Sequence, residues 1–334
     1  MSQIGEWTTL GLGGPARQVV ETVTEQELVE AVTEADARGE PVLVLAGGSN
    51  VVVADQGFAG TVVRVHTSGV THDDDVLHVA AGEPWDAFVA RCVEHGRAGI
   101  ECLSGIPGSI GATPIQNVGA YGQDVAETVV AVRILDRRTG EVGEMGASEC
   151  GFAYRSSVLK RAPGRWVVLG VSYRLPHADE SRPIRYAELA RTLGVSVGAT
   201  APLASVREAV LALRRGKGMV LDPADPDTRS AGSFFTNPIL ALSEVPEGAP
   251  AWPEPDGRVK TSAAWFIEQA GFRRGEGDPD GIAISSKHVL ALTNRGNGTA
   301  EELLTTARRI AAGVRETFSV ELVPEPVFVG LPWP

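Results

Sequence analysis

The chain has 334 residues, of which 43% are hydrophobic and 22% charged, and its formal net charge is −12. This composition is typical of a soluble globular protein, and the acidic balance argues against nucleic-acid binding, which needs a basic surface. No segment approaches 18 consecutive apolar residues and no signal peptide is evident, so we expect no membrane span and a cytoplasmic location. Three widely spaced cysteines and six scattered histidines lack metal-ligand spacing, so we predict no metal site.

Hydrophobic patterning predicts an α+β fold in which helices and strands do not alternate regularly. Thr24–Glu27 has the sequence of a capping box, which predicts a helix to about residue 38. The apolar residues 41–45 predict a strand that leads directly into Ala46–Asn50. Further predicted elements are strands at 61–66 and 76–80, a helix from 84 to 96, a hairpin of strands at 128–136 and 141–145, and a strand at 165–175.

The polar, irregular residues 177–202 indicate a domain boundary. Beyond it we predict helices at 203–215, 261–270 and 299–318, strands at 282–284 and 289–293, and an extended tail at 320–329.

Residues 104–122 contain five glycines and two prolines with almost no charge. A helix is excluded here because each interior Gly costs roughly 1 kcal/mol and each Pro roughly 3 kcal/mol relative to Ala. Such a loop leaves backbone N–H groups that can approach a phosphate closely. Together with Ala46–Asn50 it favours a nucleotide or dinucleotide cofactor, and a purely structural turn is the alternative.

A third glycine-rich segment, Gly11–Ala16, fits the dinucleotide fingerprint G-x-G-x-x-A. That fingerprint requires a hydrophobic strand before it and a helix immediately after it. Neither is predicted here, so we interpret this segment as a turn.

Three other segments carry candidate functional groups. Tyr154–Ser157 contains an arginine that could hold a carboxylate with two parallel hydrogen bonds, or form a surface ion pair. In Gly232–Pro238 a serine precedes two phenylalanines, which fits either a hydroxyl in a partly apolar pocket or a turn above a core pair. Glu325 lies between two prolines, where burial would raise its pKa and simple exposure would leave it ordinary.

With these motifs the chain resembles the UDP-N-acetylenolpyruvoylglucosamine reductase family of flavoenzymes. The matching stretches, in the same order along nearly the whole chain, are Ala46–Asn50, Gly105–Gly122, Tyr154–Ser157, Ala231–Pro238, Lys260–Gly271 and Pro324–Pro326. The resemblance implies an FAD-binding domain of the vanillyl-alcohol-oxidase (PCMH) type in two subdomains, plus a C-terminal α+β substrate domain. We place the FAD-binding domain at 1–200, with subdomains of about 1–68 and 69–200 and the strand 320–334 returning to it, and the UDP-sugar domain at 201–319.

The resemblance also implies residue roles. Arg155 would bind the enolpyruvyl carboxylate, Ser233 would donate the proton, and Glu325 would assist. The implied substrate contacts are Tyr154, Tyr186 on a mobile loop, Lys217 and Asn237. The implied FAD contacts are Gly47, Gly48, Ser49, Asn50, Gly105, Ile106, Pro107, Gly108, Ser109, Gly111, Ala112, Asn117, Gly119, Gly122 and Arg214. Thr236 departs from the family, whose members often have Lys there.

The implied reaction reduces UDP-N-acetylglucosamine enolpyruvate to UDP-N-acetylmuramate in peptidoglycan precursor synthesis. NADPH is the reductant, a hydride passes from reduced FAD to C3, and the proton reaches C2. We expect no partner beyond the UDP-sugar and a monomeric protein. The alternatives are another flavin oxidoreductase of the same fold and a non-catalytic UDP-sugar or nucleotide-binding protein.

Overall fold

The computed structural model describes residues 2–333, within which the chain forms seven α-helices and seventeen strands. The helices are α1 Glu25–Ala37, α2 Trp85–Glu94, α3 Val158–Arg161, α4 Ala187–Leu193, α5 Leu203–Gly216, α6 Ala263–Gln269 and α7 Ala300–Phe318. The strands are β1 Ala16–Thr22, β2 Val42–Leu45, β3 Val51–Val53, β4 Phe58–Val65, β5 Val70–Asp73, β6 Val76–Ala80, β7 Gly119–Ala120, β8 Gln123–Asp124, β9 Val129–Asp136, β10 Glu141–Gly146, β11 Trp166–Arg174, β12 Ile239–Leu240, β13 Ala251–Pro253, β14 Val259–Thr261, β15 Ile282–Ile284, β16 Leu292–Asn294 and β17 Val327–Val329.

The chain divides into two compact units that are interleaved in sequence. The central unit comprises residues 16–48 and 59–216, and the terminal unit comprises the described residues up to Pro15, residues 49–58 and those from Lys217 onward. This grouping differs from the predicted domains 1–200 and 201–319, because α5 lies in the central unit and two N-terminal segments lie in the terminal unit. The outermost residues of the predicted domains, Met1 and Pro334, lie outside the described residues.

The central unit contains two larger sheets and the short hairpin β7–β8. One has the order β1-β4-β2, and its parallel pair β2–β4 ends where the chain enters Ala46–Gly48. The other has the antiparallel order β10-β9-β11-β6-β5. Its core includes three large buried aromatic side chains, Trp85, Phe88 and Tyr173, whose ring centroids lie 5.7–6.1 Å apart. Such tilted aromatic pairs add packing energy beyond the area that they bury. The glycine-rich loop contributes residues to the same core as this cluster.

The terminal unit is built on α6, α7 and small sheets. β3 pairs in parallel with β17, β12 and β13 flank β14, and β15 pairs with β16. The apolar side of α7 is buried in a core with Phe234 and Phe235. The helix begins with a capping box in which Thr299 and Glu302 exchange hydrogen bonds. Residues near both ends of the chain therefore share one core.

Several local predictions are confirmed. The capping box at Thr24 is formed, and α1, α2, α5, α6 and α7 lie within a few residues of their predicted positions. As predicted, Gly11–Pro15 lacks the strand before it and the helix after it that a dinucleotide fingerprint requires, since it lies between a 3₁₀ helix at Ile4–Trp7 and β1. Its backbone is irregular and the turn lies just before it, at Thr9–Leu10. A Cβ on Gly14 would lie 2.0 Å from the carbonyl oxygen of Asp55. No helix within residues 2–333 has both the length and the apolar character needed to cross a bilayer.

Other predictions need correction. The strand expected at 289–293 is confined to Leu292–Asn294, and the segment 177–202 contains helix α4. The strands that were not predicted are β1, β3, β5, β7, β8, β12, β13 and β14. Of these, β1 and β3 pair with strands distant in sequence, whereas β5 forms a hairpin with β6. Short edge or parallel strands carry weak sequence periodicity, so their existence depends on partners elsewhere in the chain.

Candidate functional site

The two glycine-rich loops predicted to hold a cofactor meet in the central unit. A Cβ on Gly47 would lie 2.8 Å from the Cα of Gly108, and a Cβ on Gly111 would lie 2.8 Å from the Cβ of Ala81. Both glycines are therefore required for close packing, since real Cβ atoms do not approach so closely. Gly105 and Gly108 also have φ values of +73° and +121°, which favour glycine. The structure thus brings Gly47 against the segment Gly105–Gly111.

Helix α2 supports this loop at three points. The indole N–H of Trp85 donates to the carbonyl of Leu103 at 3.0 Å. The backbone N–H of Trp85 donates to the carbonyl of Gly108, also at 3.0 Å. The carboxylate of Asp86 accepts the N–H of Gly105 at 2.6 Å. Sequence reasoning missed both side chains, because only the fold places the first turn of α2 under the loop.

Ser109 provides a test of whether the loop fits a cofactor. Its side chain is 4% exposed, and within the described residues 2–333 its Oγ has no hydrogen-bond partner. A buried hydroxyl without a partner costs about 1–3 kcal/mol, and a ligand oxygen at this position would remove that cost. The glycine-lined approach of the two loops and the buried Ser109 hydroxyl therefore fit the phosphate-bearing FAD.

Arg155 contacts the far end of the same loop. Its Nη1 donates to the carbonyl of Asn117 at 3.3 Å and its Nη2 donates to that of Gly119 at 2.6 Å. Asn117, Tyr121 and Arg155 all have φ between +47° and +51°, a backbone conformation that residues other than glycine rarely adopt. Strained backbone of this kind occurs mainly at functional sites, where the surrounding structure enforces it. The arginine is thus held in a defined orientation against the loop.

The neighbouring predicted residues Asn117, Ser157 and Tyr154 are buried or half-buried and make contacts within the protein. Asn117 Nδ2 donates to the carbonyl of Ala153 at 3.2 Å and its Oδ1 accepts the N–H of Ala126 at 3.1 Å, so its side chain joins two backbone segments. Ser157 is fully buried, caps α3 and donates to Ile115 at 2.6 Å. The ring of Tyr154 lies 5.6 Å from the guanidinium carbon of Arg155.

Tyr186 packs edge-on against Tyr121, with ring centroids 5.4 Å apart, while 42% of the residue stays exposed. Sequence reasoning missed Tyr121, although it stands between Ala120 and Gly122 in the loop motif. Burial lowers the pKa of Arg214, which the charges of Tyr121 and Asp86 counteract. Arg214 is therefore near enough to Tyr121 in the glycine-rich loop and to Asp86 in α2 for their charges to affect its pKa.

Ser233 and Glu325 lie on adjacent backbone segments of the terminal unit. The N–H of Glu325 donates to the carbonyl of Phe234 at 2.8 Å, one residue from Ser233. Both Ser233 and Glu325 are half-buried, whereas Phe234 and Phe235 are buried in the core. The segment Gly232–Pro238 therefore bends above a core pair, and the partly accessible Ser233 lies on a backbone segment adjacent to that of Glu325.

Asn50 joins this group in the terminal unit. Its Nδ2 donates to the carbonyl of Glu325 at 3.3 Å, and its own carbonyl accepts the N–H of Val327 at 3.0 Å. Asn237 Oδ1 accepts the N–H of Ala263 at 3.0 Å, at the N-terminus of α6, and Thr236 donates to Val323 at 3.3 Å. Lys217 is the first residue of this unit after α5. The predicted residues thus form one group around Arg155 and the loops, and another around Ser233 and Glu325.

Two family profiles match the chain. An FAD binding domain matches residues 16–146, and the C-terminal domain of UDP-N-acetylenolpyruvoylglucosamine reductase matches residues 223–329. The chain is 56% identical to the protein of that name from Thermobifida fusca, over 98% of this chain and 97% of the relative. It is 48% identical to the one from Mycobacterium marinum, over 97% and 93%. The crystal structure of UDP-N-acetylenolpyruvylglucosamine reductase (MurB) from Thermus caldophilus aligns with a TM-score of 0.68 at 25% identity, over 98% and 97%.

Proposed function

Because the chain belongs to the UDP-N-acetylenolpyruvoylglucosamine reductase family of FAD-containing oxidoreductases, we propose that it uses NADPH to form UDP-N-acetylmuramate. The substrate is the enolpyruvyl ether of the UDP-sugar, and the product is a precursor of peptidoglycan. The structural observation that carries this proposal is the hydrogen bond from Glu325 N–H to the carbonyl of Phe234, which holds the backbone of Glu325 beside the segment that carries Ser233.

The FAD contacts proposed from the sequence are those of the two glycine-rich loops, with Arg214. When bound, FAD supplies the hydride carrier between NADPH and the enol ether. The backbone N–H groups of these loops and the buried Ser109 hydroxyl would hold the cofactor there. The FAD match at 16–146 and the C-terminal match at 223–329 support FAD binding in the predicted domain 1–200 and UDP-sugar binding at 201–319.

Arg155 binds the carboxylate of the enolpyruvyl group. Hydride addition at C3 leaves negative charge at C2 that spreads onto this carboxylate, so a fixed guanidinium stabilises the developing charge. The two hydrogen bonds from Arg155 to Asn117 and Gly119 orient the planar group before substrate arrives. A lysine ammonium cannot reproduce this geometry, since it is a point charge on a flexible stem.

Ser233 delivers the proton to C2. A serine hydroxyl is a very weak acid, but the carbon that forms after hydride addition is strongly basic. The half-buried Glu325 assists from the neighbouring segment, and Asn50 fixes its backbone through the 3.3 Å hydrogen bond. Tyr154, Tyr186, Lys217 and Asn237 complete the proposed substrate contacts, with Thr236 in place of the lysine common in relatives. We further propose that the enzyme acts in the cytoplasm as a monomer.

Separate measurement of the two half-reactions tests these roles. Ser233→Ala and Glu325→Gln should oxidise NADPH anaerobically at the wild-type rate, seen as loss of flavin absorbance, because neither side chain is needed for that hydride transfer. Return of flavin absorbance after addition of the enolpyruvyl sugar should slow by roughly 10²–10⁴-fold, the usual loss for a positioned acid–base group. Ser233→Cys should retain more activity than Ser233→Ala, since a thiol still delivers a proton.

Matched controls are Ser243→Ala and Glu321→Gln, two exposed positions of the terminal unit, which should leave both half-reactions unchanged. If Ser233→Ala slows NADPH oxidation and leaves the second half-reaction intact, Ser233 is not the proton donor. Rapid oxygen consumption with no response to the enolpyruvyl sugar would instead identify a flavin oxidase of the same fold.

A further inference from the structure

The carboxylate of Asp86 joins three parts of the central unit. Its Oδ1 accepts the N–H of Gly105 at 2.6 Å and Nη1 of Arg207 at 2.6 Å, and its Oδ2 accepts Nη2 of Arg207 at 2.9 Å. Asp86 lies in the first turn of α2, Gly105 in the glycine-rich loop and Arg207 on α5. Two parallel charge-assisted hydrogen bonds fix both the distance and the plane of the guanidinium. One side chain therefore connects the loop to two helices.

The charges around Asp86 keep it ionised. Burial raises the pKa of Asp86, but the hydrogen bonds from Arg207 and Gly105 and the charges of Arg207 and Arg214 together lower it below its usual value. A carboxylate in the first turn of a helix also interacts favourably with the helix dipole. The ionised form is the one that can accept the Gly105 N–H and both Arg207 donors at once.

Arg207 shares one side of α5 with Arg214. The two residues are seven positions apart, which is about two helical turns at 3.6 residues per turn. Arg214 is 8% exposed and is a proposed FAD contact, and its charge contributes to the lowered pKa of Asp86. The Asp86–Arg207 pair therefore fixes the rotation of α5 that places Arg214.

The position of Gly105 gives this network a link to the cofactor loop. Gly105 adopts a φ of +73°, and because a glycine populates positive and negative φ about equally, its own backbone preference does not select this conformation. The 2.6 Å contact with Asp86 selects the conformation in which the following residues, Gly108 and Ser109, meet Gly47.

We propose that Asp86 is a positioning residue for FAD, which holds the glycine-rich loop and, through Arg207, the helix that carries Arg214 in their binding arrangement. The inference rests only on the FAD-binding part of the proposed function. Its failure would leave the roles of Ser233 and Glu325 untouched, since the two experiments measure different quantities.

The test compares Asp86→Asn with a matched variant, Asp136→Asn. Asp136 also binds one arginine, Arg165, through both carboxylate oxygens and accepts one backbone N–H, that of Arg138, but it lies in the β9–β10 hairpin. The dissociation constant of FAD is measured from the fluorescence of free FAD on serial dilution of the holoprotein. Thermal unfolding in saturating FAD measures the structural cost of each substitution.

Asp86→Asn should raise the FAD dissociation constant about 10- to 100-fold, the loss expected for charge-assisted hydrogen bonds. Asp136→Asn should leave FAD affinity unchanged while lowering the unfolding temperature about as much as Asp86→Asn lowers it. Asp86→Glu, which keeps the charge, should recover part of the affinity. The double variant with Arg207→Gln should bind FAD no more weakly than Asp86→Asn alone, because the two residues act as one unit.

Wild-type FAD affinity in Asp86→Asn, or an equal loss in Asp136→Asn, would overturn the proposal. If Asp86→Asn does not fold, Arg207→Gln decides the question, since it keeps the Gly105 contact and removes only the helix connection. A measurable loss of FAD affinity in this variant supports the proposal, and unchanged affinity refutes it.

Discussion

The hydroxyl pair formed by Thr113 of the glycine-rich loop and Tyr173 of β11 allows a stability prediction with a defined sign. The hydroxyl groups of Tyr173 and Thr113 lie 2.6 Å apart, and both residues are buried. Thr113 donates its single hydroxyl proton to the carbonyl of Ile110 at 2.9 Å, so Tyr173 is the donor in the pair. The two substitutions that break this bond should therefore have unequal costs.

Tyr173→Phe removes the donor and leaves Thr113 with its bond to Ile110, so we expect a loss of about 1 kcal/mol in the free energy of unfolding. Thr113→Val leaves a fully buried tyrosine hydroxyl without an acceptor. The cost of that unpaired hydroxyl adds about 1–3 kcal/mol to the loss in the free energy of unfolding. The carbonyl of Ile110 still accepts the backbone N–H of Thr113 at 3.0 Å, so it adds little. The double variant should cost no more than Thr113→Val, because it removes both polar groups.

Thermal unfolding followed by tryptophan fluorescence measures these differences, since Trp85 lies 5.9 Å from the ring of Tyr173. An unfolding entropy of about 2.1 cal/mol/K per residue gives roughly 1.4 °C per kcal/mol for 334 residues, so Tyr173→Phe should lower Tm by about 1–2 °C and Thr113→Val by about twice that. The four proteins form a double-mutant cycle in which the double variant should lose less stability than the sum of the two single variants. A larger effect of Tyr173→Phe than of Thr113→Val, or strictly additive effects, would refute the assignment of donor and acceptor.

Two further predictions concern the loops and the buried thiols. Gly47→Ala should strongly weaken FAD binding, because its Cβ would lie 2.8 Å from Gly108, whereas Gly143→Ala, with no described atom within 4 Å, should bind FAD normally. Equal affinity in both, measured by dilution of the holoprotein, would show that the close approach is not needed. Burial and the charge of Glu149 raise the pKa of Cys150 to about 11. An unfolded thiol ionises near pH 8.5, so the free energy of unfolding should fall between about pH 8.5 and 11, and less so in Cys150→Ala; an identical pH profile in that variant would contradict the assignment.

The sequence determined those features whose energetics are local. Thr24 and Thr299 each precede a glutamate by three residues, and the capping boxes form because both hydrogen bonds close within one turn. The irregular backbone at Gly11–Pro15 and the loop character of residues 104–122 likewise follow from the conformational freedom of glycine and the restrictions of proline. These motifs and their order were also sufficient to identify the family and its FAD cofactor.

Pairings between distant residues required the tertiary structure. The parallel pair of Val51–Val53 with Val327–Val329, and the hydrogen bond between Glu325 and Phe234, each join segments whose sequences carry no signal of one another. The interleaving of the two units follows from such pairings, so the predicted boundary near residue 200 differs from the contact-defined one. Asp86 and Tyr121 were missed for the same reason. An acidic residue in the first turn of a helix is ordinary in sequence, and only the packing of α2, α5 and the loop brings its carboxylate to Gly105. Long-range contacts depend on which surfaces the whole chain buries together, and no local pattern contains that information.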